Sequence, residues 1–344
     1  MNAPVLRHEA PVPPRQPKDY ATDQEVRWCP GCGDYAILKA VQKTLADLQA
    51  DPDRTVFVSG IGCAARFPYY VETYGFHTIH GRAPAVATGI KLANPELDVW
   101  VVGGDGDMLS IGGNHLIHAL RRNVDLQILL FNNEIYGLTK GQCSPTTRPG
   151  VRTPSTPGGA VDAPLSALRL ALGAGARFVA RGIDTQQKVL PEILKRARAH
   201  RGAALVEILQ NCIVYNDGAF AGFTEKAVEA EGQIHLVHGE PLLFGRNRQR
   251  GLRLRAGGLG LGAVEVGGAT GVPVEAVLRH DQTDPVLAAL LAAMEPPTLP
   301  VAIGVILDSP AATLTDPAAQ AATTRRRPDL NTLLRQGPTW RMEA

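Results

Sequence analysis

Two sets of residues in this sequence are suited to metal and redox chemistry. The first runs from Gly104-Asp105-Gly106 to Asn132-Asn133. It offers a carboxylate and amide carbonyls, the hard oxygen donors that Mg²⁺ takes, usually together with phosphates of a ligand. The second set is four cysteines: Cys29 and Cys32 in Trp28-Cys-Pro-Gly-Cys-Gly33, Cys63 in Gly60-Ile-Gly-Cys63, and Cys212 in Gln210-Asn-Cys212. Four thiolates suit either a structural zinc or an iron-sulfur cluster. The fifth cysteine, Cys143, has no assigned partner.

These residues need elements that bring them together. Val99 to Gly103 and Leu126 to Phe131 are short apolar runs suited to buried strands, with Asp105 just beyond the first and Asn132-Asn133 just beyond the second. Between them Ile111 to Arg122 carries apolar residues at Ile111, Leu116, Ala119 and Leu120, as a crossover helix does. A right-handed crossover makes the strands parallel, so both polar turns emerge at one carboxyl edge. Gly104 and Gly106 would let backbone approach a ligand there closely. The strands Thr55 to Ser59 and Ala204 to Leu209 end just before Cys63 and Cys212, which puts these thiols at the same edge. Zinc is the plainer reading of Cys-x-x-Cys alone, but a position at the catalytic edge favours a redox cluster. A thioredoxin-like pair is weaker, because two further cysteines project to that edge.

Asp34 reads as the cap of a helix through Ala36, Ile37, Ala40, Val41 and Leu45, and Pro84 as the first turn of another through Val86, Ile90 and Leu92. Between the first strand and that helix lies a long loop, Gly60 to Arg82. His80-Gly81-Arg82-Ala83 just ahead of the helix suits a diphosphate site, or equally a solvated loop. Arg66 can reach the edge to meet a carboxylate, or pack at the surface with its aromatic neighbours. Leu138 to Pro164 is long for a connection without regular structure, and such loops are usually functional or interfacial. Helices at 165–172 and 187–199 alternate with strands at 177–180 and 204–209. The whole predicts an α/β fold, a mostly parallel sheet with helices on both faces.

Lys and Arg number 35 against 33 Asp and Glu, a net charge of +2. That balance excludes nucleic acid or a membrane surface as a partner bound through bulk charge. No apolar run has the length of a membrane span or forms a signal peptide, so a cytoplasmic location is expected. The expected organisation is an N-terminal arm (1–27), the binding domain (28–238), an extension of it (239–310) rich in Gly and Arg, and a C-terminal tail (311–344).

The Gly-Asp-Gly and Asn-Asn motif resembles that of thiamine diphosphate (TPP) enzymes. Together with Trp28 to Gly33, Gly60-Ile-Gly-Cys-Ala-Ala-Arg-Phe-Pro-Tyr-Tyr70, Tyr74 to Ala83, Asn132 to Gln142 and Gln210 to Cys212, the chain resembles the β subunit of 2-oxoacid:ferredoxin oxidoreductases, most nearly the 2-oxoglutarate type. The resemblance covers roughly residues 25 to 310. It implies a TPP-binding fold in which Asp105, Asn133 and the Ile135 carbonyl hold Mg²⁺. Gly106, Asp107, Gly137 and Leu138 would line the diphosphate side, and Ile61, Gly62, Cys63 and Ala64 with His80, Gly81, Arg82 and Ala83 would contact TPP. Cys29, Cys32, Cys63 and Cys212 would ligate a [4Fe-4S] cluster, and Arg66 would seat the substrate. The implied reaction is CoA-dependent oxidative decarboxylation of 2-oxoglutarate to succinyl-CoA and CO2, or its reverse, with electrons passing to ferredoxin. An α/γ subunit would complete the active site. Pyruvate or a range of 2-oxoacids are alternative substrates. A TPP lyase or synthase without redox chemistry would leave the cysteines unused, and a zinc-stapled scaffold would leave Gly104 to Asn133 unexplained.

Overall fold

The computed structural model describes residues 13–316 and 329–335. The first twelve residues of the expected arm, and most of the expected tail, lie outside them. The backbone of the molecule is an eight-stranded sheet in the order β2-β1-β3-β4-β6-β5-β11-β7. Its strands are β1 (Thr55–Ser59), β2 (Tyr74–His77), β3 (Asp98–Gly104), β4 (Leu126–Asn132), β5 (Phe178–Ile183), β6 (Ala203–Leu209), β7 (Gln233–His235) and β11 (Val301–Asp308). The first six are mutually parallel, while β11 runs antiparallel to β5 and carries β7 beside it. A separate three-stranded sheet is built from β8 (Leu243–Phe244), β9 (Arg250–Leu254) and β10 (Leu261–Glu265).

Alternation along the strands sorts the core into two layers. Val56, Val58, Val99, Val101, Ile128 and Leu130 face the helices α2 (Ala83–Ala93), α4 (Gly113–Arg121) and α5 (Ala167–Gly173) and the later helix Pro285–Ala292. Phe57, Trp100, Val102, Leu129 and Phe131 face the other way, against α1 (Asp34–Asp47) and α6 (Leu190–Ala199). Every residue of β1, β4 and β6 is buried. The sheet is therefore covered on both faces, as expected.

Three local expectations differ from the structure. The crossover between β3 and β4 is two helices, α3 (Asp105–Leu109) and α4, so the Gly-Asp-Gly turn opens directly into a helical turn. Asp34 does not cap α1: Gly33 holds that position and Asp34 is the first helical residue. The long loop after β1 contains a 3₁₀ turn (Ala64–Tyr69) and the edge strand β2. Of the arm, residues 13–27 pack on the chain's own core, where fully buried Tyr20 donates its hydroxyl to the Ala50 carbonyl at 2.6 Å.

Candidate functional site

Strand register fixes the geometry of the polar edge. Gly104 pairs with Phe131, which sets Asp105 level with Asn132, and Asn132 in turn pairs with Leu209 at the end of β6. The carboxyl ends of β1, β3 and β4 thus open onto one cavity of about 560 Å³, with the end of β6 beside Asn132. It is lined by Asp105, Asn133 and Ile135, by Gly106, Asp107, Gly137 and Leu138, and by Ile61, Gly62, Cys63, Ala64 and His80. Gly81, Arg82 and Ala83 stand behind this wall: Arg82 is the residue preceding α2, and Ala83 is fully buried. Arg66 opens onto an adjoining cavity of about 410 Å³ that shares Ile61, Gly62 and Leu138 with the first.

Asp105 is 2% exposed, and its Oδ2 accepts hydrogen bonds from Ser144 Oγ at 2.5 Å and Thr146 Oγ1 at 2.6 Å. Burial raises its carboxyl above the ordinary range, against the opposing pull of these donors. Asn133 Oδ1 accepts from the Ile135 N–H at 3.1 Å, while its Nδ2 donates to Gln210 Oε1 at 2.8 Å. That second bond fixes the amide flip and leaves Oδ1 a free lone pair. Between these residues Glu134 sits at φ 57°, the left-handed conformation. A carboxylate and an amide oxygen that line one cavity together with Ile135 are a donor set that fits Mg²⁺.

Asp107 lines the cavity and also joins its walls. Its Oδ1 accepts from Ile61 N at 3.1 Å, Gly81 N at 2.8 Å and His80 Nδ1 at 2.6 Å, so it ties the two loops flanking the cavity to α3. Gly106 lines the cavity as well, and packing gives it a second reason. A Cβ there would lie 2.2 Å from the Tyr136 ring, so packing of that ring requires the glycine, and Tyr136 donates its hydroxyl to the Gly106 carbonyl at 3.0 Å. Gly62, at φ 127° with open space at its Cβ position, does give the cavity a bare backbone.

Two of the cysteines meet behind Gly137. A Cβ on that glycine would stand 3.5 Å from Cys212 Sγ and 3.6 Å from Cys63 Sγ, so the cavity wall and two of the sulfurs meet at one residue. Cys32 Sγ accepts from Gln210 Nε2 at 3.3 Å, and Trp28 Nε1 donates to the Cys63 carbonyl at 2.7 Å. Burial, then the Asp34 carboxyl, then Cys212 and Cys29 push the Cys63 thiol up to about 12. Cys32 is raised by burial, Asp34, Cys63 and Cys212. Cys63 thus lies within the electrostatic reach of Cys212 and Cys29, and Cys32 within that of Cys63 and Cys212. Among the described residues no three His, Cys, Asp or Glu side chains stand close enough to hold a single metal ion. Cys143 lies apart, its Sγ 3.0 Å from Thr156 Oγ1.

The sequence reading did not anticipate Asp34 as a site residue. It is 1% exposed, lines the cavity beside Cys63, and among the described residues neither carboxylate oxygen has a hydrogen-bond partner. Burial raises its pKa to about 7. Its place in the first helical turn accounts for an acid there, and that explanation hid it.

A family profile described as the C-terminal TPP-binding domain of thiamine pyrophosphate enzymes matches residues 60–208. The chain is 54% identical to the 2-oxoglutarate oxidoreductase subunit KorB of Mycobacterium tuberculosis, over 81% of this chain and 74% of that one. It is 50% identical to the β subunit of 2-oxoacid:ferredoxin oxidoreductase 1 of Aeropyrum pernix, over 58% of this chain and 62% of the relative. Among solved structures it resembles the 2-oxoglutarate:ferredoxin oxidoreductase from Magnetococcus marinus with 2-oxoglutarate, coenzyme A and succinyl-CoA bound. That match has a TM-score of 0.76 and 32% identity, and covers 95% of this chain and 98% of the other.

Proposed function

The chain belongs to the β subunits of the 2-oxoacid:ferredoxin oxidoreductases, and on that premise we propose that it carries Mg²⁺, TPP and one [4Fe-4S] cluster for CoA-dependent oxidative decarboxylation of 2-oxoglutarate. It is a TPP-binding subunit of an oxidoreductase. Ferredoxin is the proposed electron acceptor, and an α/γ subunit the proposed partner that completes the pocket. Among the described residues no helix is long and apolar enough to cross a membrane.

Asp105, Asn133 and the Ile135 carbonyl would hold Mg²⁺, and Cys29, Cys32, Cys63 and Cys212 the cluster. When bound, TPP supplies carbanion stabilisation and the cluster a one-electron outlet. The chain's own side chains bind, orient and exclude water. Gly62 and Gly137 keep bare backbone against the cofactor. His80, held by Asp107, lines the same cavity as Ile135 and Leu138. Arg66 would seat a substrate carboxylate; in its cavity Arg27 is already paired with Glu25 at 2.8 Å, whereas Arg66 takes no carboxylate among the described residues. A free guanidinium suits the second carboxylate of 2-oxoglutarate, which pyruvate lacks.

The observation that carries this reading is Gly137, which lines the proposed TPP cavity and whose Cβ position faces the sulfurs of Cys63 and Cys212. A redox centre in that position can drain electrons from the cofactor, a use that a staple elsewhere in the fold would not have. The test is co-expression with the neighbouring subunit and anaerobic purification. The expected result is about four iron and four sulfide per chain, with CoA-dependent reduction of ferredoxin fastest on 2-oxoglutarate in a panel of 2-oxoacids. Zinc in place of iron overturns the cluster assignment, and equal rates on pyruvate overturn the substrate.

A further inference from the structure

Building on the reading of Asp105 as a metal ligand, we propose that Ser144 and Thr146 are positioning residues that restrict the Asp105 carboxylate to one-oxygen coordination and so favour Mg²⁺ over Ca²⁺ at the diphosphate site. Both hydroxyls reach the same atom, Asp105 Oδ2, at 2.5 and 2.6 Å. Ser144, Thr146 and Asp105 are 8%, 4% and 2% exposed, so water does not compete for these bonds. Thr146 Oγ1 also lies 3.0 Å from Asn132 Oδ1, but it has a single proton, and the shorter contact to a carboxylate takes it. Oδ1 accepts no side-chain hydrogen bond among the described residues.

The loop that delivers the two hydroxyls is itself tied down. Ser144 N donates to Thr147 Oγ1 at 2.8 Å, and that hydroxyl donates to the Glu134 carbonyl at 2.6 Å. Arg148 Nε then pairs with Glu134 Oε2 at 3.0 Å. Residues 144–148 therefore grip both halves of the motif, Asp105 after β3 and Glu134 after β4. This gives the long segment after Asn133 a task despite its lack of regular elements.

The coordination argument is one of capacity. An oxygen that accepts two charge-assisted hydrogen bonds has little left for a cation, so the carboxylate offers Oδ1 alone. Mg²⁺ takes single oxygens in a near-ideal octahedron, whereas Ca²⁺ takes six to eight ligands and often both oxygens of one carboxylate. Locking one oxygen penalises the larger ion. Partners that orient a metal ligand in this way typically contribute about 10- to 100-fold in metal affinity.

The test uses the complex containing the full-length chain, stripped of metal and TPP by chelation. TPP is titrated by calorimetry with saturating Mg²⁺ or Ca²⁺. The wild type is expected to bind TPP more tightly with Mg²⁺. In Ser144→Ala/Thr146→Val the Mg²⁺-supported affinity falls by about 10-fold or more, the Ca²⁺-supported affinity falls less, and Thr146→Ser keeps the wild-type ratio. An unchanged Mg²⁺/Ca²⁺ ratio in the folded double variant overturns the proposal and leaves Asp105 as a ligand. Absence of any Mg²⁺-dependent TPP binding in the wild type overturns that underlying reading as well. Should the double variant fail to show a cooperative melt, Ser144→Ala alone is judged by the same ratio.

Discussion

The two ends of the central sheet treat their acidic residues in opposite ways. At the carboxyl edge Asp34, Asp105 and Glu134 are all raised above the ordinary carboxylate range, and burial is the first cause in each. Asp34 and Glu134 reach about 7. At the amino edge Asp47, Asp308 and Asp316 are lowered, chiefly by hydrogen bonds from the Lys43 side chain, the His200 side chain and the Thr313 backbone. Asp98 is the exception there: burial raises it although Arg198 Nε lies 2.6 Å away. A buried carboxylate without a compensating cation costs stability. The amino edge uses its acids to hold the fold together, whereas at the carboxyl edge Asp34 and Asp105 have no cationic partner among the described residues and Glu134 has only Arg148.

If that contrast is right, the largest effect comes from the acid nearest the proposed metal. Asp105→Ala should weaken Mg²⁺-supported TPP binding by at least about 100-fold, beyond what an orienting partner contributes, and leave the paramagnetic signal of the reduced cluster intact. The isosteric Asp105→Asn should not destabilise the metal-free chain, because it removes a buried charge and keeps an acceptor for Ser144 and Thr146. A lowered melting temperature without metal would break the contrast.

Asp34 sharpens the comparison through pH. Its pKa rises from 3.8 to about 7 on folding. Between those values the native state keeps a proton that the unfolded chain releases, so stability falls as pH rises and levels off above the native pKa. Asp34→Asn removes this loss. The variant should match the wild type near pH 4 and exceed it at pH 8 by a few kcal/mol, because each pH unit between the unfolded and native values costs the wild type about 1.4 kcal/mol. Denaturant melts of the metal-free chain read the difference. A wild type more stable than the variant at pH 8 would mean that Asp34 has a partner in the fold.

Much of the edge was legible before the structure. Apolar runs at Val99 to Gly103 and Leu126 to Phe131 mark β3 and β4 because strands buried on both faces tolerate few polar residues. Their ends then place Asp105 and Asn133 without further information. What periodicity cannot show is which polar groups meet across a fold. Ser144 and Thr146 lie in a Pro- and Thr-rich stretch with no local sign of their contact with Asp105. β2 went unread because all four of its residues are exposed, so it lacks the pattern of a half-buried strand. β11 was missed for a weaker reason. Val301-Ala-Ile-Gly-Val-Ile-Leu-Asp308 is a plain apolar run, and the Gly- and Arg-rich sequence before it masked the run.

The smallest effect belongs to the amino edge, and it should have the opposite sign. Asp308 Oδ1 pairs with His200 Nδ1 at 2.9 Å and Oδ2 with Arg196 at 3.4 Å. Its pKa is depressed, so it stabilises the fold above the ordinary carboxylate pKa and loses that contribution as pH falls through the native value. Asp308→Asn keeps an acceptor for His200 and removes only the charge. Because the pair is partly screened by solvent, the expected loss at pH 8 is about 0.5–1 kcal/mol, shrinking toward zero near pH 2. Asp34→Asn and Asp308→Asn are the same isosteric change at opposite ends of the sheet. Measured side by side at pH 8, one should gain stability and the other lose it. Equal signs would show that distance from the cavity does not decide how this fold uses its acids.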